Sequence, residues 1–217
     1  MCAQYIRGAS ARASFRVMND LCTWLTDHGS SCLELFGAIT GALNVWLVTR
    51  ERVSAWPLGI VNAVVYTIVF ARAGLYSDTG LQVAYALLSV YGWWHWTQHG
   101  TQAPLAIGRV TTATSQRLLL IGIAIWVLLA SITSRIPGSA LPWLDAALVA
   151  GSVVAQWMMT RKLLEHWIVW IVLDVVYVGV FISRGLRLTA LLYALFLLLA
   201  VLGLVQWTRS SRTQRLA

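Results

Sequence analysis

Apolar residues run along the chain in seven long blocks, at roughly 32–49, 55–71, 79–98, 117–135, 142–159, 164–183 and 188–208. Blocks of this length carry an α-helix across about 30 Å of hydrocarbon at 1.5 Å per residue. The alternation with period two that marks a transmembrane barrel is absent. The pattern predicts an all-α integral membrane protein with seven transmembrane helices.

The pattern also repeats. Trp46, Thr49 and Arg50 recur as Trp157, Thr160 and Arg161, an offset of about 111 residues that holds without a gap. Trp56, Tyr66 and Phe70 recur as Trp167, Tyr177 and Phe181, and Gly92 and Trp96 as Gly203 and Trp207. About 20 of the 64 positions in 34–97 match their counterparts in 145–208. A period this long is outside the solenoid range and means a duplicated bundle of helices. Three helices cross the membrane an odd number of times, so a directly fused copy would be inverted. The unpaired fourth block restores the direction, which predicts two parallel three-helix repeats plus a connector helix, 3+1+3. The chain then divides into an amphipathic or disordered arm (1–30), a first repeat (31–98), a loop and connector (99–141), a second repeat (142–208) and a basic tail (209–217).

Composition agrees. Only 11% of residues are charged and 59% are hydrophobic, with mean hydropathy +0.71; soluble domains carry about 25% charged residues. The net charge of +8 comes from cations placed singly in loops and at the termini. They form no basic face interleaved with aromatics, so the partner is a lipid bilayer and no nucleic acid. Arg50, Arg52, Arg109, Arg117, Arg161, Lys162, Arg209, Arg212 and Arg215 share one side, against Arg72, Arg135, Arg184 and Arg187 on the other, with Arg7, Arg12 and Arg16 of the arm. The arm's three count little, because charges more than about 15–20 residues from a span do. This bias puts the C-terminus in the cytoplasm. Cys2, Cys22 and Cys32 show no metal-ligand spacing.

Candidate chemistry concentrates in the sixth block. Trp167, Trp170, Asp174, Tyr177 and Phe181 are spaced 3, 4, 3 and 4 apart, which stacks them on one helical face. A carboxylate near mid-membrane costs about 2.5–3.5 kcal/mol on insertion scales unless it meets a cavity or a partner. Asp174 therefore reads as a group that receives a cation or hydroxyls, walled by rings that stack on a flat ligand. The structural alternative is a folding element, with Asp174 protonated or hydrogen-bonded to a neighbouring helix. The second block carries the matching stripe Trp56, Gly59, Asn62, Tyr66 and Phe70. Gln82, Asn44 and Gln156 add buried amides, each of which could instead join helices. Trp93, Trp94, Trp96, Trp143 and Trp207 lie near block ends, where indoles settle at the headgroups. Glu34 and Asp145 begin equivalent blocks, as helix-dipole partners or as a pair gating one mouth. Asp78 reads as the cap of the third helix.

Enzymatic readings find no support. Lys162 is the only lysine and lies in a loop, which removes a Walker phosphate loop and a Schiff-base lysine. His95 and His99 lack a third ligand at suitable spacing, so neither a metal nor a cofactor is assigned.

These residues resemble the PnuC family of bacterial vitamin transporters, whose founding members carry nicotinamide riboside. The resemblance rests on Trp56 to Asn62, Gly74 to Tyr76, Leu81-Gln82, Tyr91 to Trp96, Met159 to Lys162, Glu165 to Trp170, and Asp174. It covers about 32–208. It implies a SWEET-like 3+1+3 architecture, association into homotrimers, a vitamin bound near mid-membrane, and facilitated diffusion made directional by cytosolic phosphorylation. Residue by residue it places the ligand among Asn62, Gln82, Trp167, Trp170 and Asp174, with Tyr66 and Tyr177 in the same two stripes. The nicotinamide riboside carriers often have asparagine where this chain has Asp174, and aspartate looks common in the wider family. Nicotinamide riboside and thiamine are both cationic aromatics that suit a carboxylate, whereas riboflavin is neutral and larger. Outside the transporter class, a non-transporting membrane scaffold remains as the alternative.

Overall fold

Each apolar block folds as one α-helix in a computed structural model of the chain, which describes residues 32–72, 76–98, 105–135, 141–184 and 187–216. The helices are α1 (Cys32–Thr49), α2 (Ala55–Arg72), α3 (Tyr76–Gln98), α4 (Thr112–Thr133), α5 (Pro142–Thr160), α6 (His166–Ser183) and α7 (Arg187–Leu216). The arm expected over 1–30 lies outside the described residues.

Local chemistry sets the ends. Thr111 caps α4, its hydroxyl accepting from the Thr114 backbone N–H, so the helix begins ahead of the expected position 117. Pro142 opens α5 with its φ already helical. Helix α3 starts at Tyr76, which puts Asp78 inside the first turn and not at the cap position. Helix α7 continues past 208 to Leu216, because Gln214 accepts from the Ile107 backbone N–H and Ser211 is buried there.

Helices α1 and α5 end alike. Glu51 and Lys162, 111 residues apart, each adopt φ 54°. Glu51 N–H donates to Val48 and Arg52 N–H to Leu47; Lys162 N–H donates to Met159 and Leu163 N–H to Met158. Both ends are Schellman turns with a non-glycine residue in the left-handed position.

Packing follows the duplication. Within the first repeat α2 packs on α1 and α3, and within the second α6 packs on α5 and α7. Between repeats α1 meets α7 and α3 meets α5, while α4 packs on α5 alone. The six repeat helices thus close into a ring, each touching two neighbours, with the connector outside. Neither α2 with α6 nor any other non-adjacent pair packs backbone to backbone among the described residues. Six helices at spacings of 8–10 Å leave roughly one helix width at the ring centre for side chains.

Five helices, α1, α2, α4, α6 and α7, are long and apolar enough to cross a membrane. Helices α3 and α5 are less apolar because they carry Gln82, Ser89 and His95, and Asp145, Ser152 and Gln156, respectively. They form one inter-repeat contact, so part of this polarity is turned toward protein. Gln156 Nε2, for example, donates to Ser89 Oγ at 3.4 Å.

The densest core lies at the end of the ring that carries the α1–α2 and α5–α6 loops. Trp56, Trp96, Trp167 and Trp207 cluster there with Val48, Met159 and Leu164. Trp96 and Trp207, expected at the headgroup level, are 4% and 0% exposed and point into the ring. Position at a helix end fixes depth but not direction, which is why the two were misplaced. Trp93, Trp94 and Trp143 do face outward. Glycine makes the room: Trp56 lies against Gly92, and a Cβ on Gly203 would stand 2.5 Å from Trp167 Cζ2.

Gly203→Ala should therefore force the Trp167 ring aside and cost on the order of 1–3 kcal/mol. In detergent its unfolding temperature should fall by several degrees. Gly179→Ala, where a Cβ meets nothing within 4 Å, should not lower it.

Candidate functional site

Asp174 is 4% exposed, halfway along α6. Among the described residues its carboxylate makes no hydrogen bond and no ion pair. Tyr85 of α3, Tyr177 of α6 and Tyr193 of α7 all lie within its electrostatic range. Ser152 of α5 stands beside the hydroxyls of both Tyr85 and Tyr177.

The rings form a nearly continuous lining. Tyr85 meets Trp170 across the ring at 6.5 Å between centroids. Tyr177 stacks on Phe181 at 5.9 Å and tilts against Tyr193 at 4.6 Å, and Tyr193 meets Phe196 edge-on at 5.6 Å. Phe196 reaches Gly41 of α1, where a Cβ would stand 3.5 Å from it and 3.4 Å from Asn62 Nδ2. The second-repeat aromatics thereby join Asn62 and Tyr66, which stacks on Phe70 at 5.4 Å. Helices α3, α5, α6 and α7 supply the acid side; α1 and α2 supply the amide side.

The amides divide by use. Asn62 Nδ2 donates to Gly37 O at 2.6 Å and to Thr40 Oγ1 at 2.9 Å, tying α2 to α1. Asn44 Nδ2 donates to Ala55 O at 2.6 Å, a reach that Gly59 permits because a Cβ there would collide with Nδ2. Asn62, Asn44 and Gln156 thus spend at least one donor on joining helices. Gln82, half-buried on α3, makes no hydrogen bond among the described residues.

Trp167 and Trp170 part company although they share a helical face. Trp167 is 2% exposed and fills the packing core against His166 and Trp207, at 4.4 and 5.6 Å between centroids. Trp170 lies between that core and the Asp174 group. Tyr85, Ser152, Tyr193 and Phe196 were not anticipated. A lone hydroxyl or ring on an apolar helix carries no signal until its neighbours are known.

The far mouth of the ring begins with acids. Glu34, Asp78 and Asp145 occupy the first turns of α1, α3 and α5. Asp145 pairs with Arg184 at 3.6 Å, both side chains close to half exposed. Two surface recesses lie away from Asp174. One of about 470 Å³ is lined by Trp46, Leu47, Arg50, Arg52 and Ser54, and one of about 550 Å³ lies along α7 from Leu191 to Leu198. Among the described residues no group of His, Cys, Asp and Glu is placed to hold a metal ion.

Two three-helix repeats closed around a ring-lined acid, in a chain of membrane-spanning helices, define a multi-pass membrane transporter. The chain belongs to the nicotinamide mononucleotide transporter family, whose sequence profile matches residues 31–209. It is 26% identical over 208 residues to the nicotinamide riboside transporter PnuC of Escherichia coli (strain K12), covering 84% of this chain and 87% of that one. It is 24% identical over 183 residues to the riboflavin/roseoflavin transporter RibM of Streptomyces davaonensis, covering 82% and 85%. The crystal structure of the vitamin B3 transporter PnuC superposes with TM-score 0.67 over 92% of this chain and 90% of that one, at 24% identity. The two chains share one fold.

The division among the amides is testable. Asn62→Ala removes the donor that ties α2 to Gly37 O and Thr40 Oγ1 of α1, although Thr40 Oγ1 still donates to Gly37 O. It should lower stability by on the order of 1 kcal/mol. Gln82→Ala should stay within about 0.5 kcal/mol of the parent. Thermal unfolding of the two variants side by side reads the difference.

Proposed function

We propose that the protein carries nicotinamide riboside across the membrane by facilitated diffusion, with cytosolic phosphorylation trapping the product. The observation that carries this reading is Asp174, a buried carboxylate without a partner in a wall of rings. An unpaired charge in low dielectric costs several kcal/mol, so the acid either holds a proton or waits for a ligand. A flat cationic ring answers both features, pairing with the acid and stacking on Trp170 or Tyr177. Ribose hydroxyls find partners in Tyr85, Ser152, Gln82 and the oxygen of Asn62, with Tyr66 closing the amide side. Trp167 supports Trp170 from behind.

The transport needs neither catalysis nor a bound cofactor. We place the chain in the cell (inner) membrane with its C-terminus in the cytoplasm. We assign it a homotrimer, with the exposed apolar side of α4, including Leu119, Leu120 and Leu128, available for lipid or a neighbouring copy. Thiamine is the second reading, because its cationic ring system meets the same carboxylate. Riboflavin, which the RibM relative is named for, lacks the charge that Asp174 would pair with.

Isothermal titration of the purified protein with all three vitamins separates these readings. Nicotinamide riboside should bind at micromolar or tighter affinity and riboflavin should not; tight binding of thiamine alone would reassign the cargo. Asp174→Ala should abolish uptake while expression and oligomeric state persist, and normal uptake by that variant would defeat the assignment. No thermal shift with any vitamin and no flux into liposomes would favour the scaffold.

A further inference from the structure

The duplicated loops bring two opposite charges together at the pseudo-twofold axis. Glu51 and Lys162 are equivalent positions, and Lys162 Nζ lies 2.7 Å from Glu51 Oε2. The lysine side chain is only 5% exposed. Its ammonium also donates to Leu105 O at 2.7 Å and lies over the Trp96 and Trp207 rings at 5.2 and 6.0 Å. The tryptophans cross between repeats: Trp96 Nε1 donates to Thr160 O at 3.1 Å, and Trp207 Nε1 donates to Val48 O at 3.0 Å. Each repeat's third helix is thus bonded to the end of the other repeat's first helix.

We propose that the Glu51–Lys162 pair, floored by Trp96 and Trp207, is the gate of the transport pathway at this end, closed in this structure. Three observations carry it. Both residues hold a left-handed backbone at Schellman turns, where glycine would sit without strain. The strain is kept in both repeats, and the side chains that require it meet each other. Second, the crossed indole bonds and the ion pair close the ring centre at this end, whereas the Asp145–Arg184 pair at the far mouth lies within one repeat and is open to water. Rocking of one repeat against the other must therefore break this contact for cargo to leave here. Third, charges suit a gate better than a greasy plug. Closing strips water from the lysine and leaves the Glu51 carboxylate 22% exposed. Opening rehydrates both, so the attraction lost is partly replaced and neither state is a trap.

The gate presupposes the carrier reading above, but its test needs no vitamin. In a background with Cys2, Cys22 and Cys32 changed to serine, Ser89→Cys places a thiol on a residue 3% exposed, two turns of α3 inward from Trp96. Membrane vesicles are oriented with the α5–α6 loop outward, as verified by rapid labelling of Arg50→Cys, and treated with a membrane-impermeant maleimide. Labelling of Ser89→Cys should be slow with the pair intact. Glu51→Gly removes the carboxylate while suiting the left-handed turn. It should speed labelling roughly tenfold or more, because it leaves the buried Lys162 ammonium without its counter-ion, and stranding a buried charge shifts an equilibrium by more than one factor of ten. Lys162→Met acts on the other half and should give the same acceleration, which keeps the test decisive if the first variant fails to accumulate. Labelling as slow as with the pair intact would overturn the gate. A failed gate leaves vitamin binding untouched, and absent vitamin flux leaves the labelling result untouched, so the two readings fail separately.

Discussion

In hydrocarbon no water stands by to satisfy a stranded polar group, and most of this molecule's buried chemistry obeys that constraint. Asn44, Asn62 and Gln156 donate to neighbouring helices, and Lys162 is held by Glu51 and a carbonyl. Asp174 does not obey it. It is 4% exposed, more buried than Asn44 or Asn62, and has no hydrogen-bonding or ionic partner among the described residues. Tyr85, Tyr177 and Tyr193 lie within its electrostatic range and Ser152 stands beside two of them, so three helices besides its own contribute hydroxyls to this region. Three ring nitrogens of the packing core, Trp56 Nε1, His166 Nε2 and Trp167 Nε1, are also buried without a hydrogen-bond partner among the described residues. Asp174 is the acid among these groups, and on the proposed function it is where the ligand is received.

Duplication supplies the enclosure and divergence supplies the pocket. Equivalent tryptophans, Trp56 with Trp167 and Trp96 with Trp207, build the same closed end from both repeats. Around the ring centre the copies differ. At the offset of 111, Asp174 corresponds to Ala63, Asn62 to Leu173, and Tyr85 to Phe196. A symmetric ring thereby holds an asymmetric lining, with an acid and hydroxyls on one side and an amide on the other. On the proposed function, that asymmetry is what orients a ligand with a charged ring at one end and a polar sugar at the other.

Much of the fold was legible because hydrophobic length and period are strong signals in a membrane chain. The helix blocks, the 111-residue repeat and the odd connector follow from counting. Two kinds of information were not there. Direction around a helix is one: Trp96 and Trp207 occupy interfacial depth but point inward, and Trp167 shares a face with Trp170 yet serves packing. Backbone conformation is the other. Nothing in Glu51 or Lys162 announces a left-handed turn, since glycine is the residue that signals one. For the site, the stripe on α6 was visible because a mid-membrane acid is costly wherever it occurs. The hydroxyls of Tyr85, Ser152 and Tyr193 became meaningful only when three helices met around it.

The central claim is that cargo occupies the space bounded by Asp174, Trp170 and Tyr177. A structure determined with nicotinamide riboside bound tests it most directly. The account predicts ligand density at mid-ring, with a ligand atom at about 3 Å from the Asp174 carboxylate and the pyridinium ring stacked on an aromatic neighbour. Density elsewhere, in the surface recess beside Trp46 or along α7 at Leu195, with Asp174 untouched, would contradict it.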